Sequence, residues 1–252
     1  MRLAVIADIH GNVLALDAVL DDIGRRGADK IVNLGDCVSG PLWPCETCER
    51  LMPLGLATVR GNHDRWVADG DPAAMGPSDR YAFDALDAAA RAWLGALPTG
   101  LTLEAGGVTI RAFHARPADD NNYLAEEIVA GRLALVDGAT LASRLGEAAS
   151  AGLVLCGHSH QPRLLRIAAT GAVLVNPGSV GAPAYDDPTP PQPHVSEVGS
   201  PHARYAMVSV EVGVVTAVEM IAIGYDWRAA AERAAANGRP EWAHALATGF
   251  MA

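Results

Sequence analysis

Cysteine, net positive charge and long apolar runs are what this chain has least of, and each shortage excludes a class of protein. Four cysteines (Cys37, Cys45, Cys48 and Cys156) among 252 residues are too sparse for a disulfide scaffold, which agrees with a reducing compartment. Cys45 and Cys48 form a single C-x-x-C, yet a zinc ribbon needs a second pair and none exists. After Pro44, "PCETCERLM" reads instead as a helix start carrying two small residues. Lysine and arginine total 19 against 29 acidic residues, a formal charge of -10. That balance argues against a broad nucleic-acid or anionic-membrane surface, since such affinity rests on neutralising phosphates with cations. A compact phosphorylated substrate stays open if the site supplies its own cations. The N-terminal "MRLAVIADIHGN" has one basic residue and an apolar run that stops at Asp8. This is too short for a signal segment and far too short to span a bilayer, so a cytoplasmic protein without membrane contact is expected. No repeat with a period of about 20 to 50 residues is present.

What is present is the material for a large core. Half of the residues are hydrophobic and 19% are charged, a globular composition. "RLAVIAD" suits a buried strand, and Leu16, Val19, Leu20 and Ile23 follow at helical spacing until Gly27. "KIVNLGD" reads as a second strand, "CETCERLM" as a helix and "LATVRGNHD" as a third strand. This βαβαβ opening calls for an α/β fold with parallel strands. Residues 78 to 97 predict one long amphipathic helix with Phe83, Leu86, Ala90, Trp93 and Leu97 on one face. Beyond it the period shortens to two: "LTLEAGGVTIRAFH" predicts a hairpin through Gly106 and Gly107. "LVLCGHSH", "RLLRIA", "AVLVNPGS", "RYAMVSVEV" and "VVTAVEMIAI" continue as strands. Helices near 226 to 236 and 240 to 248 end the chain. A single domain over 1–252 is expected, with a proline-rich loop at about 182–203, either a lid or a solvated excursion, and a helical extension at about 225–250.

The polar residues gather at strand ends. The first strand runs into Asp8 and His10, the second into Asp36, the third into Asn62 and His63, the hairpin into His114. "GHSH" adds His158 and His160; on an extended backbone, residues two apart present both imidazoles side by side. In open α/β sheets the carboxyl ends of the strands share the edge where sites form. Asp, Asn and His without a thiolate suit Mn, Fe, Zn or Ni better than a structural zinc. Besides His63 the set offers Asp8, His10, Asp36, Asn62, His114, His158 and His160, more donors than one ion requires. With Asp36 shared they suffice for two divalent transition-metal ions, the arrangement of hydrolases that activate a bridging hydroxide between metals about 3.5 to 4 Å apart.

The ordered blocks D-x-H (Asp8, His10), G-D (Gly35, Asp36), G-N-H-D (Gly61 to Asp64), His114 and G-H-x-H (Gly157 to His160) resemble the calcineurin-like metallophosphoesterase superfamily, small bacterial and archaeal phosphodiesterase-type members above all. The resemblance implies a four-layer α/β/β/α sandwich with two mixed sheets flanked by helices. It also implies one ion on Asp8, His10, Asp36 and His160 and a second on Asp36, Asn62, His114 and His158. Two such ions would make the site locally cationic inside an acidic protein. His63 is then expected to give a proton to the leaving oxygen or a hydrogen bond to the phosphoryl group, with Asp64 orienting it. Asn12 and Arg65 are candidate phosphate contacts. Asn121, Asn122 and Tyr123 are candidates for a specificity rim or a helix cap.

The Ser/Thr protein phosphatases of this superfamily carry "GDxVDRG" and "GNHE", where this chain has "GDCVSG" and "GNHD". A small phosphorylated substrate, a phosphodiester or nucleotide, therefore moves ahead of a protein-phosphatase-like phosphomonoesterase. A noncatalytic scaffold of the same fold would be expected to have lost ligands, and none is missing here. Oligomeric state is left open.

Overall fold

The computed structural model describes all 252 residues. The first half of the chain runs through β1 (Arg2–Ile6), α1 (Val13–Arg26), β2 (Lys30–Asn33), α2 (Pro44–Leu51), β3 (Ala57–Thr58), α3 (Asn62–Asp69), α4 (Pro77–Ala85) and α5 (Ala88–Ala96). Then come β4 (Gly100–Ala105), β5 (Val108–Phe113), β6 (Glu126–Val129), β7 (Arg132–Leu135), α6 (Gly138–Leu145), β8 (Leu153–Leu155), β9 (Arg163–Arg166) and β10 (Val173–Asn176). The remainder holds β11 (Ala184–Asp187), β12 (His194–Glu197), β13 (Ala203–Glu211), β14 (Val214–Ile223), α7 (Trp227–Ala236) and α8 (Pro240–Thr248).

Two five-stranded mixed sheets, in the orders β14-β13-β1-β2-β3 and β4-β5-β8-β10-β9, face each other. β1 sits centrally, parallel to β2 and antiparallel to β13. Its side chains alternate between two apolar environments. Leu3 and Val5 join Val32, Ile110, Leu155 and Val175 between the sheets, all fully buried. Ala4 and Ile6 meet Leu16, Val19 and Ile23 of α1 on the outer face. On the far side, Leu141 and Leu145 of α6 cover Val154 and Leu174. The layers are thus α/β/β/α, as expected. Each such buried aliphatic side chain is worth about 1.5–3 kcal/mol, which makes the central strands the rigid part of the molecule.

Three departures from the sequence reading have local causes. The helix expected over 78–97 is two helices: Leu86 turns extended (ψ 142°) and Asp87 accepts a hydrogen bond from Ala90 N, capping α5. "GNHD" does not end a strand. β3 stops at Thr58, and Asn62 and His63 open α3, where Asp64 accepts from the backbone N–H of Gly61. The proline-rich segment contains the hairpin β11–β12, whose Val195 pairs with Arg132 of β7, giving a third, four-stranded sheet in the order β11-β12-β7-β6. β6, β7 and α6 were not anticipated, although Ala130 and Gly131 turn between the first two with φ of 51° and 74°. No helix is long and apolar enough to cross a membrane.

Candidate metal centre

At the carboxyl ends of the central strands the backbone leaves the extended region abruptly. Asp8 (φ 56°), His10 (50°), Asp36 (54°), His158 (68°) and His160 (56°) are five of the seven non-glycine residues with positive φ in the chain. A side chain in this conformation costs on the order of 1–3 kcal/mol and persists only where the surroundings enforce it. The strain also corrects the side-by-side picture of "GHSH". β8 ends at Leu155, and the left-handed turns send the two imidazoles to different partners. His160 Nε2 lies 3.1 Å from His10 Nε2, whereas the His158 ring packs 5.1 Å from that of His114.

Two trios of donors result, Asp8–His10–His160 and Asp36–His114–His158, each with its donor atoms within 4.8 Å of one another. Asp36 Oδ2 stands between them, 3.2 Å from His114 Nε2 and 3.9 Å from His10 Nε2. Backbone carbonyls fix which nitrogen faces inward. Nδ1 of His10, His114 and His160 donates to Ser39 O (2.8 Å), Leu34 O (2.7 Å) and Ala182 O (2.8 Å), which leaves Nε2 free in all three. His158 is reversed: its Nε2 donates to Asn121 O (3.0 Å), so Nδ1 is the free nitrogen. Asn62, the first residue of α3, has a buried Oδ1 with no hydrogen-bond partner. Such an orphan costs about 1–3 kcal/mol unless a donor or a cation takes the lone pair. An all-nitrogen-and-oxygen set with unspent lone pairs fits divalent transition-metal ions.

Electrostatics supports the same fit. Burial pushes His10 down to about 4 and His158 to about 3, and burial together with neighbouring His10 lowers His160, so all three are neutral imidazoles with a lone pair to offer at pH 7. Burial would also lower His114, but Asp36 outweighs it and raises the imidazole to about 10. Burial raises Asp8 to about 8 against the pull of His114. For Asp36 burial is overcome by His114 and His63, which hold the carboxyl below its ordinary range.

His63 lies beside these groups, half-buried, with Nδ1 2.7 Å from Asp79 Oδ1, which also accepts from Ser39 Oγ (2.7 Å). Asp64 is not its orienter. Its oxygens accept from the backbone N–H groups of Asp36 (2.9 Å), Cys37 (2.8 Å) and Gly61 (3.0 Å), so it fixes the loop that carries Asp36. Asp79 was missed because it stands 16 residues along the chain, in the first turn of α4, with no motif around it. The glycine of "GNHD" has a steric reason, since a Cβ at Gly61 would overlap the Asp36 carboxylate.

Both candidate phosphate contacts are otherwise engaged. Asn12 is fully buried, caps α1 through Ala15 N, and donates to Gly181 O (3.0 Å) and Tyr225 OH (3.1 Å). Arg65 forms a two-pronged pair with Asp120, both bonds at 2.7 Å, and does not line the cavity in front of the two donor groups. Asn121, Asn122 and Tyr123 do line it and cap no helix; the Tyr123 ring stacks on His158 at 4.9 Å. That cavity measures about 1290 Å³, open enough for a substrate much larger than phosphate.

With this geometry in place, likeness to known proteins is informative. The family model of the calcineurin-like phosphoesterase superfamily domain matches residues 1–191. An uncharacterized protein of Methanocaldococcus jannaschii is 28% identical over 267 aligned positions, spanning 95% of this chain and 94% of that protein. A metallophosphoesterase from Sphaerobacter thermophilus superposes with a TM-score of 0.72 at 25% identity, over 99% of this chain and 100% of its own. A hypothetical protein from Pyrococcus horikoshii OT3 gives 0.77 at 21% identity, over 100% and 99%, and shares the fold.

Proposed function

The chain belongs to the calcineurin-like phosphoesterase superfamily, and from that premise we propose that it is a two-metal hydrolase of small phosphate esters, a phosphodiesterase or nucleotide phosphoesterase. One observation carries the reading: Asp36 Oδ2 stands within 3.9 Å of the free nitrogens of both His10 and His114, as a carboxylate shared by two ions must. Asp8, His10, Asp36 and His160 would hold one ion, and Asp36, Asn62, His114 and His158 the other. When bound, divalent ions supply Lewis acidity to the phosphoryl oxygens and a water nucleophile active near neutral pH.

The remaining steps fall to the chain itself. His63 has its Nδ1 taken by Asp79, so Nε2 is the nitrogen available to the cavity. Burial would lower its pKa, but Asp36 and Asp79 raise it to about 9, which keeps a proton on the ring for the leaving oxygen. Asp64 and the carbonyls of Ser39, Leu34 and Ala182 hold the ligands in position, so little reorganisation is needed when substrate arrives.

Chelator-stripped protein assayed with bis(p-nitrophenyl) phosphate and p-nitrophenyl phosphate, with Mn, Fe, Zn or Ni added in turn, tests the proposal. Turnover restored by a metal, and faster on the diester, is the expected result. His63→Ala should lose about 10²–10⁴-fold in rate while keeping its metal. Absence of turnover with every ion would sink the enzyme reading.

A further inference from the structure

Three of the four imidazoles in the two donor trios are held by the core, and the fourth is not. Nδ1 of His10, His114 and His160 donates to the carbonyls of Ser39, Leu34 and Ala182, residues that are themselves buried. His158 donates instead to Asn121 O, and Asn121 is exposed on the loop before β6. A carbonyl on such a loop orients an imidazole only as firmly as the loop itself is held.

Tyr123, two residues on, is where this loop is held. Its ring stacks on that of His158, with centroids 4.9 Å apart and planes inclined by 30°. Its carbonyl accepts from two guanidiniums, Arg116 Nε (2.9 Å) and Arg144 Nη1 (3.1 Å). Arg144, on α6, also reaches the carbonyls of Leu124 (3.1 Å) and Glu126 (2.8 Å). The hydroxyl end is bound by the hairpin β11–β12. With His194 Nδ1 donating to Gln192 O (2.9 Å), its Nε2 accepts from Tyr123 OH (2.6 Å), and Tyr185 OH in turn donates to Tyr123 (2.6 Å). One residue is thus fastened at its carbonyl by α6 and the chain after β5, and at its hydroxyl by the third sheet. A side chain locked in this way can fix the geometry of a neighbouring ligand. Tyr185 also packs edge-on to His160 (4.7 Å), but His160 keeps its own bond to the buried Ala182 and does not depend on Tyr123.

Resting on the two-metal reading above, we propose that Tyr123 is a positioning residue for one ion alone. It holds His158 with Nδ1 turned toward Asp36 and His114, and so secures the ion of that group, whereas the Asp8–His10–His160 group forms without it. This gives the β11–β12 hairpin and the two arginines a common role, to keep Tyr123 in place.

Mn²⁺ uptake by the stripped protein, measured by calorimetry and by metal analysis, tests this without reference to turnover. The wild type should take two ions. Tyr123→Ala should weaken one of them by about 10- to 100-fold and leave the other unchanged. Tyr123→Phe keeps the stacked ring and should recover part of the loss. Added to His158→Ala, Tyr123→Ala should cost nothing further, because both changes act on the same ion; added to His160→Ala, it should weaken the tight ion that remains. A Tyr123→Ala protein that binds both ions as tightly as the wild type, one that weakens both alike, or a loss that adds to that of His158→Ala overturns the proposal while leaving the two-metal reading intact. A wild type that takes fewer than two ions defeats the two-metal reading, and this one falls with it.

Discussion

Leu3 to Ala7 and Asp8 to His10 are adjacent stretches of one chain and almost equally buried, yet they are built on opposite principles. The first stretch is apolar and fully enclosed, with Arg2–Ile6 extended as β1. Its backbone groups are taken up by β13 and β2, and it needs nothing from outside. In the second, Asp8 and His10 adopt left-handed conformations, and their imidazole and carboxylate atoms approach other polar side chains without being fully satisfied by them. Burying such atoms is unfavourable on its own. The contrast teaches that the sandwich interior holds the fold, while its edge holds buried polar groups whose unfavourable burial the proposed cations would offset.

Mutations at the two regions should separate these roles. The largest effect belongs to Asp8→Asn. Losing a ligand removes several kcal/mol of charge stabilisation, so activity should fall by about 10³-fold or more. Burial already keeps Asp8 protonated at pH 7, its pKa being raised to about 8, so asparagine mimics the metal-free state. Denaturant melts of the stripped protein should consequently agree with the wild type within about 1 kcal/mol. Leu155→Ala should do the reverse, costing about 2–5 kcal/mol in the same melts while metal content per folded chain stays constant. A smaller effect is expected from Asp79→Asn. With His63 still present but no longer held by a charged partner, kcat should drop by about 10- to 100-fold without loss of metal. Should Asp79→Asn leave kcat untouched, the orienting role given to Asp79 is wrong.

Much of this was legible in the sequence because strands and ligands repeat a simple grammar. The apolar runs of β1, β2, β8 and β10 and the donors that follow them are local in sequence, and convergence follows from parallel strands sharing an edge. What escaped depends on contacts that no spacing encodes. Asp79 reaches His63 across a loop, whereas neighbouring Asp64 binds backbone, so proximity in sequence pointed to the wrong carboxylate. The divergence of His158 and His160 comes from positive φ at both residues, where an extended chain was the natural assumption. Asp87 split a continuous amphipathic pattern because capping α5 outweighed helix continuity at that point. The third sheet stayed hidden because each of its strands is only four residues long, and Val129 and Leu135 remain about half exposed.

Calorimetric titration of the stripped protein with Mn²⁺, at about pH 6 and about pH 8 and in buffers of different ionisation enthalpy, tests the central claim most directly. Asp8 and His114 carry protons in the metal-free protein, with pKa values raised to about 8 and about 10, and an ion must displace them. Raising the pH removes that competition, so affinity should increase from the lower pH to the higher, with protons released on binding and two ions taken up per chain. Uptake of one ion or none, or an affinity indifferent to pH, would contradict the account of a preformed edge awaiting a pair of cations.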